Sequence, residues 1–497
     1  MTLRTTVLVF GDQLRRDRGA LRHATPGTTR ILLVESAAKI AEMRWHRQRL
    51  HLVLSSMRHF VEELREEGFE VDHRRAPTIA AGLASHRREF APERIVAMEP
   101  ASFDSLASLR RWNVELVPND QFLCSRHEFA DFVGGRRSTK LEDFYRWQRR
   151  RLDVLMDGDE PAGGTWNYDH SNREPPPRDG RSWPTPLLTP LDAIDHEVLA
   201  DLPDTCWGAP PDGTWATTRS EALRRLEHAM VEVLPVFGPH EDAMLAGNWH
   251  LAHTLLSPYL NLGLLHPEEV CRRAEQEYRA GRVPIESAEG FVRQVLGWRE
   301  YVWGRYWQWM PDYRSENALG AHRPLPPAFV GGHTSMRCLS TVLGDVHEHG
   351  WAHHIQRLMV LGNLALLSGI DPMALTRWMW SGFVDGAEWV MLPNVLGMAL
   401  HADGGAMATK PYAAGGAYIG RMSDYCKGCR YDRSARTGDN ACPFTTLYWD
   451  FLDRHRDRFL RNARVAQQVR AGERLSDMPA VRERAVEVLR MLDAGTL

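Results

Sequence analysis

The chain has 497 residues, 43% of them hydrophobic and 25% charged, with a formal charge of −3 at pH 7. That length carries two to four domains with a sizeable core, and that composition excludes a disordered, collagen-like or disulfide-stapled secreted protein. The near-neutral sum does not speak for or against nucleic acid, because binding follows where basic residues cluster.

Met1–Phe10 holds only a short apolar run, and no run reaches membrane-spanning length, so neither export nor membrane insertion is expected. Short apolar runs at Val7–Phe10, Ile31–Val34, Arg94–Met98 and Val114–Val117 read as strands. Between them, Leu50–Glu67 places Val53, Met57, Phe60, Val61 and Leu64 on one helical face, with Gly68 as its stop. This rhythm predicts βαβ units and a parallel sheet covered by helices. From Trp166 to Pro210 the chain is rich in Pro, Asp and Gly, including Pro175-Pro176-Pro177, and regular structure should be sparse there. After Thr217 helical periodicity with many tryptophans takes over, so the rest is expected to be all-α. The basic run Arg149-Arg150-Arg151 reads as a solvated helix face.

Seven cysteines, an odd number and unevenly spread, fit a reducing cytoplasm. Cys426-Lys427-Gly428-Cys429 followed by Cys442-Pro443 places three thiols in one turn-rich segment. Thiolates so spaced suit zinc or an iron–sulfur cluster, and a closed site needs a fourth ligand from elsewhere. Cys338 is one candidate; spacing leaves Cys124, Cys206, Cys271 or a nearby histidine open. In His353-His354, the flanking Ile355, Leu358, Met359 and Leu361 would pack inward on a helix, so the imidazoles either face a cavity or include a core group.

Several stretches in order along the chain carry a resemblance. They are Gly11-Asp12-Gln13-Leu14, Leu256-Ser257-Pro258-Tyr259-Leu260, Gly297-Trp298-Arg299-Glu300-Tyr301 and Ala352-His353-His354-Ile355-Gln356-Arg357-Leu358. Trp389, Leu392-Pro393-Asn394, Gly397-Met398, Ala402-Asp403-Gly404-Gly405, Thr409-Lys410-Pro411-Tyr412 and Met422-Ser423-Asp424-Tyr425-Cys426 continue the series. Together they resemble the iron–sulfur bacterial cryptochromes and prokaryotic (6-4) photolyases, over essentially the whole chain. The resemblance implies an α/β antenna-binding domain at 1–130, a connector at 131–215 and a helical FAD-binding domain at 216–497. It also implies a monomer acting on UV-damaged DNA.

By the same likeness, FAD lies against Thr254, Leu255, Leu256, Ser257, Gln294, Trp298, Arg299, Tyr301, His354, Arg357, Asp385, Ala387, Met391 and Asn394. A [4Fe-4S] cluster falls on Cys338, Cys426, Cys429 and Cys442. Asp12 and Gln13 match positions that hold a 6,7-dimethyl-8-ribityllumazine antenna. His354, with His353 beside it, matches the group that protonates the lesion, as imidazole does well near neutral pH. Leu358, Met398, Lys410, Tyr412 and Tyr418 match positions near the lesion or DNA, and Trp378 matches the electron donor next to the flavin.

The sequence departs from its relatives at Met379, where tyrosine is common, at Val330, where the outer tryptophan stands, and at Met391, where this branch has glutamate near the flavin. Lys39 and Val34 replace antenna-holding residues. Trp303, Trp307, Trp309, Trp351 and Trp380 are the candidate substitutes in an interrupted photoreduction chain. The implied activity is light-driven repair of (6-4) photoproducts. The alternatives are a blue-light receptor without repair and a non-photochemical nucleic-acid protein with a cluster, which leaves the flavin motifs without a purpose.

Overall fold

In the computed structural model the described residues are 3–136 and 139–497. Met1 and Thr2, at the start of the first apolar run, lie outside them. Strands β1 (Thr5–Val9), β2 (Thr29–Ser36), β3 (Glu70–Ala76), β4 (Arg94–Met98) and β5 (Glu115–Val117) form one parallel sheet in the order β3-β2-β1-β4-β5. Val7 pairs with Ile31 on one side and Val96 on the other, which sets the aliphatic centre of the sheet in register. Helices α1 (Arg47–Glu66), α2 (Ile79–Phe90) and α3 (Phe103–Arg111) supply the crossovers. Four strands follow the apolar runs. β3 is missing from that reading because Glu-Val-Asp-His-Arg-Arg-Ala is a polar, half-exposed edge strand, where charge protects the unpaired side from further pairing.

Gly68 ends α1 in the left-handed conformation (φ +88°). α1 is buried on more than the predicted face, since the connector and the helical part both close over it. His51 bonds the carbonyl of Asp195 (3.1 Å), and Gln48 donates to the carbonyl of Glu348 (2.6 Å). Between Trp166 and Pro210, where the composition predicts sparse regular structure, there is one short 3-10 turn, Asp169–Ser171, but also a nine-residue helix, Ala193–Asp201, started by the capping box of Asp192 and Asp195.

From Arg219 onward the described residues form helices, without a further strand beyond isolated bridges. Four stretches widen to π-helix: Ala229–Val233, Arg293–Arg299, Gln356–Gly362 and Leu392–Ala399. A π turn inserts a residue and re-aims the side chains around it, and such turns gather at functional sites. The last three carry half of the flavin positions predicted outside Thr254–Ser257, namely Gln294, Trp298, Arg299, Arg357 and Asn394. The sheet is fixed to this helical part at the carboxyl end of β1. Leu14 N–H donates to the carbonyl of Leu262 (2.9 Å), and Glu269 accepts from Arg15 (2.6 Å) and Arg219 (3.0 Å). No helix of the described residues is long and apolar enough to cross a membrane.

At the end of β2, Glu35 is buried with Arg58 (2.8 and 3.0 Å) and His73 (3.0 Å). Burial pushes its carboxyl up, but the hydrogen bonds from His73 and Arg58 win and hold it at about 2. A depressed carboxylate stabilises the fold above its unfolded pKa and loses that contribution as pH falls through the folded value. Replacing Glu35 with alanine leaves Nε and Nη2 of buried Arg58 without acceptors while Nη1 keeps Asp201 (2.8 Å) and Glu197 (3.1 Å), so urea unfolding at pH 7 should show a loss of about 2 kcal/mol. The difference between the two proteins should shrink in acid.

Candidate active site

Leu255 sits in the left-handed region (φ 57°), an uncommon state for a branched side chain, and turns Thr254–Ser257 into the helix Ser257–Leu262. The Ser257 hydroxyl donates to Asp385 Oδ2 (2.7 Å), and Arg357 grips the same carboxylate with two nitrogens (2.9 and 3.0 Å). Asn261 donates to the Asp385 carbonyl (2.7 Å) and accepts from Arg299 (2.8 Å). Arg357 also donates to the carbonyl of Ala352 (2.6 Å) and lies 4.0 Å over the ring of Phe383. Segments at Ser257 and Arg357 therefore meet at the Asp385 carboxylate, and Arg299 joins them through Asn261.

Arg299 is a strut of this arrangement. Its guanidinium is sandwiched against Phe122 (4.5 Å) and Trp389 (4.7 Å), and burial lowers its pKa to about 10. Trp298 donates to Asn394 Oδ1 (2.9 Å), and Asn394 donates to the carbonyl of Val390 (2.9 Å), so the Asn394 amide is occupied at both ends. Tyr301 is engaged on the side of Thr139. Its buried hydroxyl donates to the carbonyl of Thr139 (2.8 Å) and its ring packs with Phe129 and Phe144, because the widened turn at Arg293–Arg299 faces it toward the connector. Gln294 is exposed, Ala387 half-buried, and Met391 buried.

The two histidines separate. His353 is buried, with neither ring nitrogen partnered, and stacks on His253 (4.5 Å between ring centroids). Burial, then the neighbouring His253 and His354, drives its pKa far down, so it stays neutral. His354 is open, 52% exposed, and its Nε2 meets Asp242 Oδ1 at 3.1 Å. Burial opposes its proton, but the Asp242 hydrogen bond and the charges of Asp242 and Glu241 outweigh that and raise its pKa. Glu241 is buried with Oε2 unpartnered, and burial lifts its carboxyl to about 7. Burial raises the phenol pKa values of Tyr412 and Tyr418, and the charge of Asp242 raises both further. Arg173 and Arg464 lie near Tyr412, and Arg421 stacks on Tyr418 at 5.4 Å. Lys410 is exposed; Leu358 and Met398 are half-buried.

Cys338, Cys426, Cys429 and Cys442 wall one cavity with Met336, Tyr425, Tyr431 and Phe444. Cys338 stands in the first turn of Arg337–His349 and Cys442 caps Pro443–Arg454, while Cys426 and Cys429 come from the loop between Gly416–Met422 and that helix. Burial, then the nearby Cys442, Cys426 and Cys429, forces the Cys338 thiol well above its ordinary pKa. Cys124 and Cys271 are buried apart from them in other cores, and Cys206 packs near α1.

Residues 7–210 match a family model described as deoxyribodipyrimidine photo-lyase-related protein. The chain is 41% identical over 505 residues to a (6-4) photolyase of Agrobacterium fabrum, covering 98% of this chain and 99% of that one. The chain belongs to the photolyase family. The crystal structure of a bacterial class III photolyase from Agrobacterium tumefaciens superposes with a TM-score of 0.58 at 15% identity, covering 99% and 98% of the two chains. A short mimivirus protein, R855, is 30% identical over 107 residues, 22% of this chain and 80% of its own.

Within this family fold, Asp12 and Gln13 stand where β1 and β4 diverge, the crevice in which open parallel sheets bind ligands. Gln13 donates to the carbonyls of Met98 (3.4 Å) and Glu99 (3.2 Å), and burial lifts Asp12 to about 6. Arg49 lies between this crevice and the Asp385 network, acting on both Asp12 and Asp385, with Nε unpartnered. Sequence reading missed Arg49, Glu241, Asp242 and His253, since a lone Arg in an amphipathic helix and a His-Glu-Asp triplet in a loop carry no periodic signal. Trp378 is buried and donates to the carbonyl of Phe329 (2.7 Å). Met379 is buried behind it and Val330 is 58% exposed, so the side chains that relatives use to lead outward are aliphatic here.

Asp385→Asn removes the one carboxylate paired with Arg357 among the described residues and leaves that guanidinium without a counter-charge in a half-buried site. The purified variant should lose at least tenfold in bound flavin, read from the visible absorption per chain, while Asn394→Ala should retain most of it.

Proposed function

We propose that this chain binds FAD and a [4Fe-4S] cluster and uses light to repair (6-4) photoproducts in DNA. The observation that carries this reading is the open His354–Asp242 pair beside the Asp385–Arg357 network. The donor chemistry fits the flavin. Buried polar atoms are ordinarily paired, yet Arg49 Nε, Arg293 Nη2, Glu241 Oε2 and His253 Nε2 have no partner around this region. The turn at Thr254, Leu255, Leu256 and Ser257, with Gln294 and Arg357, would hold phosphate and ring oxygens, and Met391 and Ala387 would cover the ring. When bound in reduced form, FAD supplies the light-driven electron.

The chain's own residues do the rest. An extruded lesion costs less to unstack than an intact base, and Leu358, Met398, Tyr412 and Tyr418 offer apolar and phenolic walls to receive it. Arg173, Arg421, Arg464 and Lys410 form a basic rim for the flanking phosphates, although the whole chain is slightly acidic. His354 holds the proton that passes to the substituent being returned to its original base. His353, neutral and buried, fixes the ring beside it. Met391 removes a proton-exchanging side chain from the flavin wall, which favours a blue-light receptor as the second reading.

The four thiols fit a polynuclear cluster better than zinc. One zinc ion at about 2.3 Å from each sulfur requires the sulfurs to crowd within about 4.6 Å. These cysteines are not among the groups whose donor atoms lie within 4.8 Å of one another, although they share a cavity. Asp12 and Gln13 are the natural contacts of a lumazine antenna. We further propose the division into an α/β part at 1–130, a connector at 131–215 and a helical part at 216–497, acting as a monomer in the cytoplasm.

His354→Ala should lower (6-4) repair in the light by at least ~100-fold, the usual worth of a positioned acid. Because Asp242 raises the His354 pKa, the proton-carrying form survives to higher pH; Asp242→Asn should move the alkaline fall of the repair rate to lower pH. An unchanged pH profile counts against the pair. Cys338→Ser should remove the iron and the broad near-visible cluster absorption from the purified protein, and retention of full iron would place the fourth ligand elsewhere.

A further inference from the structure

The aliphatic residues at Met379 and Val330 close one way out from Trp378, and the structure shows another. Trp207, in the connector, stacks on Trp378 with ring centroids 6.2 Å apart and planes at 25°. Among the described residues the other ring partners of Trp378 are Phe329 (5.0 Å) and Phe383 (5.9 Å), so Trp207 is its indole neighbour. Phe383 lies under the Arg357 guanidinium, at the Asp385 network. Trp378 therefore has the flavin-side network behind one ring and Trp207 in front of it. Of the tryptophans that sequence offered as substitutes, Trp303 and Trp307 pack with Phe122 and Tyr306, Trp309 with Tyr313, and Trp351 with Trp249, while Trp380 follows Trp378 by two residues on the same helix, half-buried and without a ring contact to it among the described residues.

The stack is held from three sides. Trp207 N–H donates to the carbonyl of Trp45 (3.1 Å), its own carbonyl accepts from Arg47 N–H (2.7 Å), and His46 N–H reaches the carbonyl of Ser381 (2.9 Å). A Cβ at Gly382 would come 3.1 Å from Trp207 Cζ2, so the missing side chain admits the indole. The Trp207 ring is half-buried, and its N–H donates to the Arg44 carbonyl (3.0 Å) in an exposed setting, where a proton can leave to water. His46 sits edge-on at 4.8 Å, and burial lowers its pKa to about 4, so it puts no positive charge beside an oxidised indole.

We infer that Trp207 is the outer electron relay of this protein, refilling Trp378 when oxidised flavin is photoreduced. The inference rests on the flavin reading above. Trp378 gives one electron to the photoexcited oxidised flavin and becomes a radical cation; Trp207 gives one electron to Trp378, restoring it. Trp207 then releases its indole proton to water, and an external thiol returns one electron and one proton to it. Each chain member ends as it began, and the thiol is the net donor.

The test uses the full-length flavin-loaded protein with a thiol reductant under blue light. Trp207→Phe should lower the yield of lasting flavin reduction tenfold or more, as Trp378→Phe should, with flavin content and far-UV circular dichroism unchanged. Trp207→Tyr, which keeps an oxidisable ring, should recover part of the yield. Peptide mass spectrometry after illumination without thiol should find oxidised tryptophan at 207 in the wild type and none there in Trp378→Phe. Wild-type reduction yield in Trp207→Phe, or oxidation at another tryptophan in the wild type, overturns the relay alone. A purified wild type without flavin removes the flavin reading and the relay together.

Discussion

The carboxylate of Asp385 is the point on which the site depends. A buried acid that accepts from Ser257 and from both nitrogens of Arg357 is held by that full set of donors, so its position dictates those of the turn at Leu255, the widened helix at Gln356–Gly362 and the loop before Glu388. Through Asn261 it also reaches Arg299, and through the stack of Arg299 on Phe122 it reaches the chain just beyond the parallel sheet. The strained φ of Leu255 persists because these bonds over-determine it.

The second determinant is how one dipeptide is divided. His353 and His354 are adjacent, yet one is sealed against His253 and neutral while the other opens toward Asp242 with its proton held. Two identical side chains thereby take opposite titration behaviour from burial and one hydrogen bond, the pairing of environments that acid–base chemistry requires.

Much of this was legible in sequence where residues act through local pattern. Four strands announced themselves as aliphatic runs, and the three clustered cysteines as ligand spacing, while charged β3 did not. Resemblance added Cys338 to the three clustered thiols, with which it shares a cavity, and it named Tyr301 and Arg299, whose hydroxyl and guanidinium engage Thr139 and the rings of Phe122 and Trp389. What sequence did not disclose are contacts between segments far apart along the chain. Trp207 beside Trp378, Arg49 between Asp12 and Asp385, and Asp242 against His354 each depend on packing of distant elements, and none leaves a periodic trace.

The account's central claim is that light, flavin and the His354–Asp242 pair act together on one lesion. The direct measurement is illumination of the fully reduced wild-type protein with oligonucleotides bearing either a (6-4) product or a cyclobutane dimer, with dark controls, followed by separation of repaired strands. Repair of the (6-4) product in the light alone, with the cyclobutane dimer left intact, is the predicted result. Failure to repair either lesion in a protein that carries its flavin would contradict the claim and leave light reception as the function.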